Sequence, residues 1–218
     1  MISVHLKWLA VLLAGATVFY MATNIEPNTE PNTAPKILPT ANQAIADWRN
    51  SIFWDQQGRQ RVFNQLLTKP TVLSFTFTGC GVYCPAQTAS LSLLQKQLNK
   101  EYGHGAYQII SVSLTPWFDK PETMDKFAER FSADYRNWHF LIGSEEATRR
   151  LIEEAGVSII DHSKSGVADI DHTTDVYILN TDGTIASRIL GIPLDERSIT
   201  KNLHEKIIQQ KNKQYNAL

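Results

Sequence analysis

Cysteine is scarce in this 218-residue chain, which has two, Cys80 and Cys84. Two cannot build a disulfide-stapled miniprotein or a four-cysteine zinc site. An excess of one charge is missing too. Lysine and arginine number 21 against 22 aspartates and glutamates, a formal net charge of −1. A polyanion binder carries a basic excess, so nucleic acid is not an expected partner. Proline is absent between Pro121 and Pro193, a gap that bears on the histidines below. The rest is of globular type. With 43% hydrophobic and 20% charged residues, a disordered or collagen-like chain is ruled out. The length allows one ordinary domain plus additions.

The N-terminus carries Lys7 and then an apolar run, Trp8–Ala22. This suits a signal peptide or a signal anchor over residues 1–23. The cleavage signals are poor. Ala14-Gly15-Ala16 lies inside the run, and Tyr20-Met21-Ala22 has a bulky residue where a small one is wanted. No cysteine follows the run, so a lipoprotein anchor is not expected. The favoured reading is a retained membrane-anchor helix. Lys7 precedes it and Glu26 and Glu30 follow, which places the domain outside the cytoplasm. In a bacterium that is an inner-membrane anchor with the domain facing the periplasm. Residues 24–43 hold Pro27, Pro31, Pro35 and Pro39 at intervals of four. Such a linker is extended, reaching roughly 50 Å at ~3.1 Å per residue.

From residue 44 to 218 strand and helix signals alternate. Ser51–Trp54 and Gln60–Phe63 flank Gln56-Gln57-Gly58, which predicts a hairpin. Thr71–Phe77 is β-branched and aromatic, a buried strand. A helix follows from Pro85 to about Tyr102, with Leu91, Leu93, Leu94 and Leu98 as apolar anchors. Tyr107–Val112 is a second buried strand, Pro121–Ser132 a helix, and Trp138–Leu141 a short strand. Ser144 caps a helix that Gly156 ends. Val176–Leu179 and Thr184–Leu190 form a hairpin, and a helix from about Glu196 to Gln210 closes the chain. This order predicts an α/β fold, a thioredoxin-like three-layer sandwich with a mixed central sheet and an N-terminal β-hairpin.

The cysteines follow directly on the first buried strand, in Phe77-Thr78-Gly79-Cys80-Gly81-Val82-Tyr83-Cys84-Pro85. Pro85 suits a first helical turn. A spacing of four lets both sulfurs face one side of that turn. The amides and dipole of a helix N-terminus stabilise thiolate. Gly79 and Gly81 are expected to let the backbone turn tightly around Cys80. A lone buried cysteine is usually a small hydrophobe, but this pairing points to redox or metal chemistry. Two soft thiolates suit Cu(I), and with a nitrogen ligand Cu(II).

A nitrogen ligand would have to come from six histidines. His5 belongs to the apolar anchor. His104 reads as a loop residue, His204 as solvent-facing on the last helix, and His139 as a satisfied core histidine. His162 and His172 remain. His172 lies just before the strand Val176–Leu179, where a thioredoxin fold faces the cysteine turn and usually places a proline. Here that loop has no proline and a histidine instead. Asp169, Asp171 or Asp175 is expected to orient its ring. The bland alternative is that Asp171-His172 is only a polar stretch leading into the strand.

With these residues assembled, the sequence resembles the Sco/SenC copper-binding proteins. Thr78 through Pro85 matches their pattern of threonine, any residue, cysteine, three residues, cysteine, proline. Ser113-Leu114-Thr115-Pro116-Trp117-Phe118-Asp119-Lys120-Pro121-Glu122 aligns to Ser-Val-Asp-Pro-x-x-Asp-Thr-Pro-Glu. Leu141-Ile142-Gly143-Ser144 and Asp171-His172-Thr173-Thr174 with Asp182-Gly183 match further segments. The resemblance spans about residues 50–210. It implies copper, Cu(I) or Cu(II), held by Cys80, Cys84 and His172. It also implies help in delivering copper to a cytochrome c oxidase subunit, or in reducing that site's cysteines. Thr115 departs from the family pattern, which has aspartate there.

Other functions compete. A membrane-tethered thiol–disulfide reductase needs Cys80 and Cys84 but not His172. A peroxidase of the peroxiredoxin type has threonine three residues before its reactive cysteine, where this chain has Phe77. A purely structural disulfide would gain little from closing so short a loop.

Overall fold

The computed structural model describes residues 48–163 and 169–216. The expected anchor, residues 1–23, and the expected linker, residues 24–43, lie outside them. No helix among the described residues is long and apolar enough to cross a membrane. In chain order the elements are β1 (Ile52–Asp55), β2 (Gln60–Val62), α1 (Phe63–Leu66), β3 (Thr71–Thr76) and α2 (Tyr83–Tyr102). Next come β4 (Gln108–Ser113), α3 (Pro121–Arg130), β5 (Trp138–Ile142), α4 (Glu145–Ala155), β6 (Ile159–Asp161) and β7 (Ile170–His172). The chain closes with β8 (Val176–Leu179), β9 (Ile185–Ile189) and α5 (Glu196–Tyr215).

Seven strands form one mixed sheet in the order β2-β1-β5-β4-β3-β8-β9. β4 runs parallel to both β3 and β5, while β8, β9 and the β1–β2 hairpin pair antiparallel. Every residue of β3 and β4 is buried, as strands covered on both faces must be. Their few polar groups find partners inside. The Ser74 and Ser111 hydroxyls lie 2.8 Å apart, and the Trp138 indole N–H donates to Ser111 Oγ at 3.0 Å. The β3-α2-β4 unit and the closing β8-β9-α5 make the thioredoxin-like α/β fold, with α3-β5-α4 inserted between them.

Local chemistry sets the helix ends. α3 begins at Pro121, which has no N–H to leave unpaired. At α4, Ser144 accepts the Ala147 N–H, and Gly156 takes the left-handed conformation (φ 65°) just past the last turn. α2 starts at Tyr83, two residues before the expected Pro85, so Cys84 lies within its first turn. Leu91, Leu94 and Leu98 mark its buried face at spacings of three and four, and Leu93 falls off that face. Expected as an anchor, Leu93 is 65% exposed. Gln95 is buried instead. Its amide donates to the Asp134 carbonyl and to Asn137 Oδ1 while its oxygen accepts the Asp134 N–H, so burial leaves it satisfied. α2 also meets α5 where the Tyr102 hydroxyl lies 2.9 Å from His204 Nδ1. His104 lies on the loop after α2, 3.0 Å from Asp134.

One small sheet was not anticipated. β6 and β7 pair antiparallel, Ile159 opposite His172. They are three residues each and partly polar, too short to show a period of two.

His139 corrects another expectation, because it is not satisfied. Its Nδ1 is buried without a hydrogen-bond partner. Burial, reinforced by the Arg61 cation and only partly opposed by Asp55, depresses its pKa to about 4 from 6.5. The unfolded chain therefore binds more protons than the folded one between those values. This contribution to stability is complete above pH ~6.5 and disappears as the pH falls toward ~4. It is on the order of 3 kcal/mol. Urea unfolding should show His139→Phe losing about 2 kcal/mol less stability than the wild type between pH 7 and pH 4.5. Parallel losses in the two proteins would show that His139 does not carry the effect.

Candidate metal and thiol centre

The cysteine loop hangs from the C-terminal end of β3. Its anchor is Asp119, which is 4% exposed and lies after β4. The Asp119 carboxylate accepts the Thr78 N–H at 3.1 Å and the Thr78 hydroxyl at 2.5 Å. It also accepts the hydroxyls of Ser113 at 2.5 Å and Thr115 at 3.0 Å. Four donors satisfy a buried carboxylate that would otherwise be costly. Thr115, the departure from the family pattern, thus contributes one of the donors that fix the loop two residues before Cys80. Sequence reasoning missed this role. Thr78 and Asp119 are 41 residues apart, and nothing local links them.

Cys84 is 2% exposed, whereas Cys80 is half-buried at the turn into α2. The Cys84 N–H donates to Cys80 Sγ at 3.3 Å. Hydrogen bonding from the Cys84 thiol, with help from the amides of Cys84, Val82 and Tyr83, lowers the Cys80 pKa to about 5 against the opposing effect of burial. That same contact, followed by burial, pushes the Cys84 thiol up. The pair therefore holds one thiolate, on the accessible sulfur. Gly79 lies in a turn closed by the Cys80 N–H on the Phe77 carbonyl at 3.3 Å. Neither Gly79 nor Gly81 has positive φ, and a β-carbon at Gly81 would meet nothing. The residue leading into the helix, Val82, has φ −130° and ψ −64°.

His172, the last residue of β7, comes to this pair from 88 residues away. Its Nε2 lies 3.5 Å from Cys84 Sγ. Its Nδ1 lies 2.8 Å from the Thr173 carbonyl oxygen, which can only accept. Nδ1 therefore carries the ring proton, and the Nε2 lone pair faces the sulfur. The Phe77 ring stands edge-on to the imidazole, with centroids 6.3 Å apart. None of the three expected aspartates orients this ring. Asp171 pairs with His162 at 3.1 Å and Asp175 with Arg188 at 2.5 Å, while Asp169 gives a backbone oxygen to the His162 N–H. The neighbouring carbonyl reaches Nδ1 first. His162 is thus drawn to Asp171 and stays apart from the sulfurs.

Cys80, Tyr83, Ile170, Asp171, His172 and Ile192 help to line a cavity of about 220 Å³ beside the pair. Among the described residues no three His, Cys, Asp or Glu side chains stand ready at metal-coordinating spacing. A metal bound by Cys80, Cys84 and His172 together has to draw them inward. The donor set itself, two sulfurs and one imidazole with a free lone pair, fits copper by its softness.

Comparison with known proteins bears on the family and the fold. The SCO1/SenC family pattern matches residues 46–207. The SCO1 protein homolog of Bacillus subtilis is 29% identical over 140 residues, 64% of this chain and 72% of that protein. The solved structure of BsSco, described as a Sco-family cytochrome c oxidase assembly protein with a disulfide switch, aligns at TM-score 0.61. It is 26% identical and the match covers 72% of this chain and 90% of that one. Bradyrhizobium japonicum ScoI, solved with copper bound, has the same fold at TM-score 0.61, 24% identity, and coverage of 72% and 96%. The match across most of the chain, on a thioredoxin-like fold with both cysteines at the head of α2, places this protein in the SCO1/SenC family.

Proposed function

We propose that this protein binds one copper ion through Cys80, Cys84 and His172 and passes it to a copper-accepting subunit of cytochrome c oxidase. The observation that carries the reading is the His172 lone pair facing Cys84 Sγ at 3.5 Å. A nitrogen lone pair beside two sulfurs is the donor set that Cu(II) prefers. Copper is the cargo here. Cys80 is the accessible ligand, on the cavity side, and is suited to release first as an incoming thiolate replaces it. Cys84 lies deeper and, together with His172, holds the ion until exchange is complete. The domain works outside the cytoplasm, tethered to the inner membrane by residues 1–23.

A second reading rests on the asymmetry of the two sulfurs. The Cys80 thiolate attacks a partner's disulfide, forming a mixed disulfide and releasing one partner thiolate. Cys84 then attacks Cys80 Sγ, its proton passing to the departing partner sulfur, which closes the Cys80–Cys84 disulfide and frees the second partner thiol. Two electrons pass to the partner, and an external dithiol must restore the pair. This activity would prepare the cysteines of a copper-accepting site, so the two readings are compatible in one protein.

Titration of the reduced chain with Cu(II) tests the first reading. A thiolate-to-copper charge-transfer band should grow and saturate near one equivalent per chain. Recovery of tightly bound zinc, with no copper binding under reducing conditions, would overturn it.

A further inference from the structure

Gln87 lies on α2, three residues after Cys84, and is 4% exposed. Its side-chain amide donates to the Thr174 carbonyl oxygen and lies 3.5 Å from the Gly191 carbonyl oxygen. Thr174 is two residues past His172, on the loop between β7 and β8. Gly191 lies after β9. One neutral amide therefore joins the cysteine helix, the histidine loop and the chain leaving the sheet, behind the sulfur–imidazole pair. The crossing is close. A β-carbon at Gly191 would collide with the Thr174 carbonyl and the Gln87 amide, so only glycine fits there. Among the described residues, no other side-chain hydrogen bond connects α2 to the stretch from Thr173 to Asp175. At its two ends the loop is also held by the pairing of His172 with Ile159 and by the Asp175–Arg188 ion pair at 2.5 Å. The Thr173 N–H donates to the Ser158 carbonyl, and the Thr173 hydroxyl has no partner.

We propose that Gln87 is a positioning residue that clamps the His172 loop onto α2 and so sets the sulfur–imidazole separation. The proposal rests on the copper reading above for its consequence and on this geometry for its cause. A ring free to drift from Cys84 still leaves two thiolates, which hold Cu(I) nearly linearly. Cu(II) needs the nitrogen beside sulfur and loses it. The clamp therefore governs which oxidation state the site holds, while thiol exchange between Cys80 and Cys84 does not depend on it.

Gln87→Met keeps the volume and removes the donor. It should lower Cu(II) affinity about 10- to 100-fold and shift the charge-transfer band, with Cu(I) affinity changed less than about threefold. The dithiothreitol equilibrium of the Cys80–Cys84 disulfide should stay within about threefold of wild type. Gly191→Ala disturbs the same crossing from the other side and should act alike. Hydrogen exchange in the metal-free protein reads the clamp directly. Amide exchange over Thr173–Asp175 should quicken by about tenfold in both variants while the midpoint of global unfolding moves little. If the wild type binds no copper, the copper reading fails, and exchange still decides whether the clamp exists. If the wild type binds Cu(II) and Gln87→Met binds it with the same affinity, spectrum and exchange pattern, the clamp is wrong. Equal losses of both copper states with faster exchange throughout the domain would also overturn it, as general destabilisation.

Discussion

His172→Ala is expected to lower Cu(II) affinity by at least ~100-fold and to remove or move its charge-transfer band. Loss of an outer partner alone already costs about 10- to 100-fold at metal sites, and this change removes a ligand atom. Cu(I) binding should fall by less than about tenfold, since two thiolates satisfy a linear ion. Reduction of a small disulfide should continue at the wild-type rate, because exchange runs through sulfur alone. His162→Ala is the control. Its imidazole is paired with Asp171 at 3.1 Å on the small β6–β7 sheet and is half-exposed, so copper binding should not change. Loss of Cu(II) in His162→Ala together with retention in His172→Ala would reverse the ligand assignment.

Single serine substitutions of the cysteines should abolish tight copper binding and closure of the disulfide, yet leave two different proteins. Cys84→Ser retains the accessible sulfur at the start of the helix, where backbone amides still favour thiolate. It should react readily with iodoacetamide and accumulate a mixed disulfide that no second thiol can resolve. Cys80→Ser retains only a sulfur that is 2% exposed. That variant loses the contact that chiefly raises the Cys84 thiol, but burial still pushes the thiol up and shields it from the reagent. Alkylation of this variant should be at least ~100-fold slower than that of Cys84→Ser, measured by mass spectrometry under native conditions. Equal rates in the two variants would show that the sulfurs are not distinguished as described, and attack through Cys80 would lose its basis.

What could be read from the chain alone is what neighbouring residues impose on one another. Cysteines four apart, followed by proline, specify a helix start with both sulfurs on one side, and α2 begins there. The Ser144 cap and the Gly156 stop need only residues within a turn or two, and both are present. Thr71–Phe77 could be read as a buried strand from its β-branched and aromatic residues, and Thr71–Thr76 forms one. His172 was singled out by its place before a strand and by family resemblance, since no local pattern connects a histidine to cysteines 88 residues earlier.

Tertiary structure decided the rest, because sheet order determines which distant loops share one end of the domain. With β3 between β4 and β8, the loops after β3 and β4 and the loop before β8 converge. That convergence puts Asp119 under Thr78, His172 beside Cys84, and Gln87 against Thr174. It also overrode reasonable local guesses. A backbone carbonyl holds the His172 ring where aspartate was expected, because rigid neighbouring backbone reaches Nδ1 without ordering another side chain. Leu93 faces water while Gln95 is buried, because only the fold supplied Asp134 and Asn137 as partners for that amide. Residue types and spacings set what each segment can do locally, and the long-range pairing of strands set which of those capacities meet at the two sulfurs.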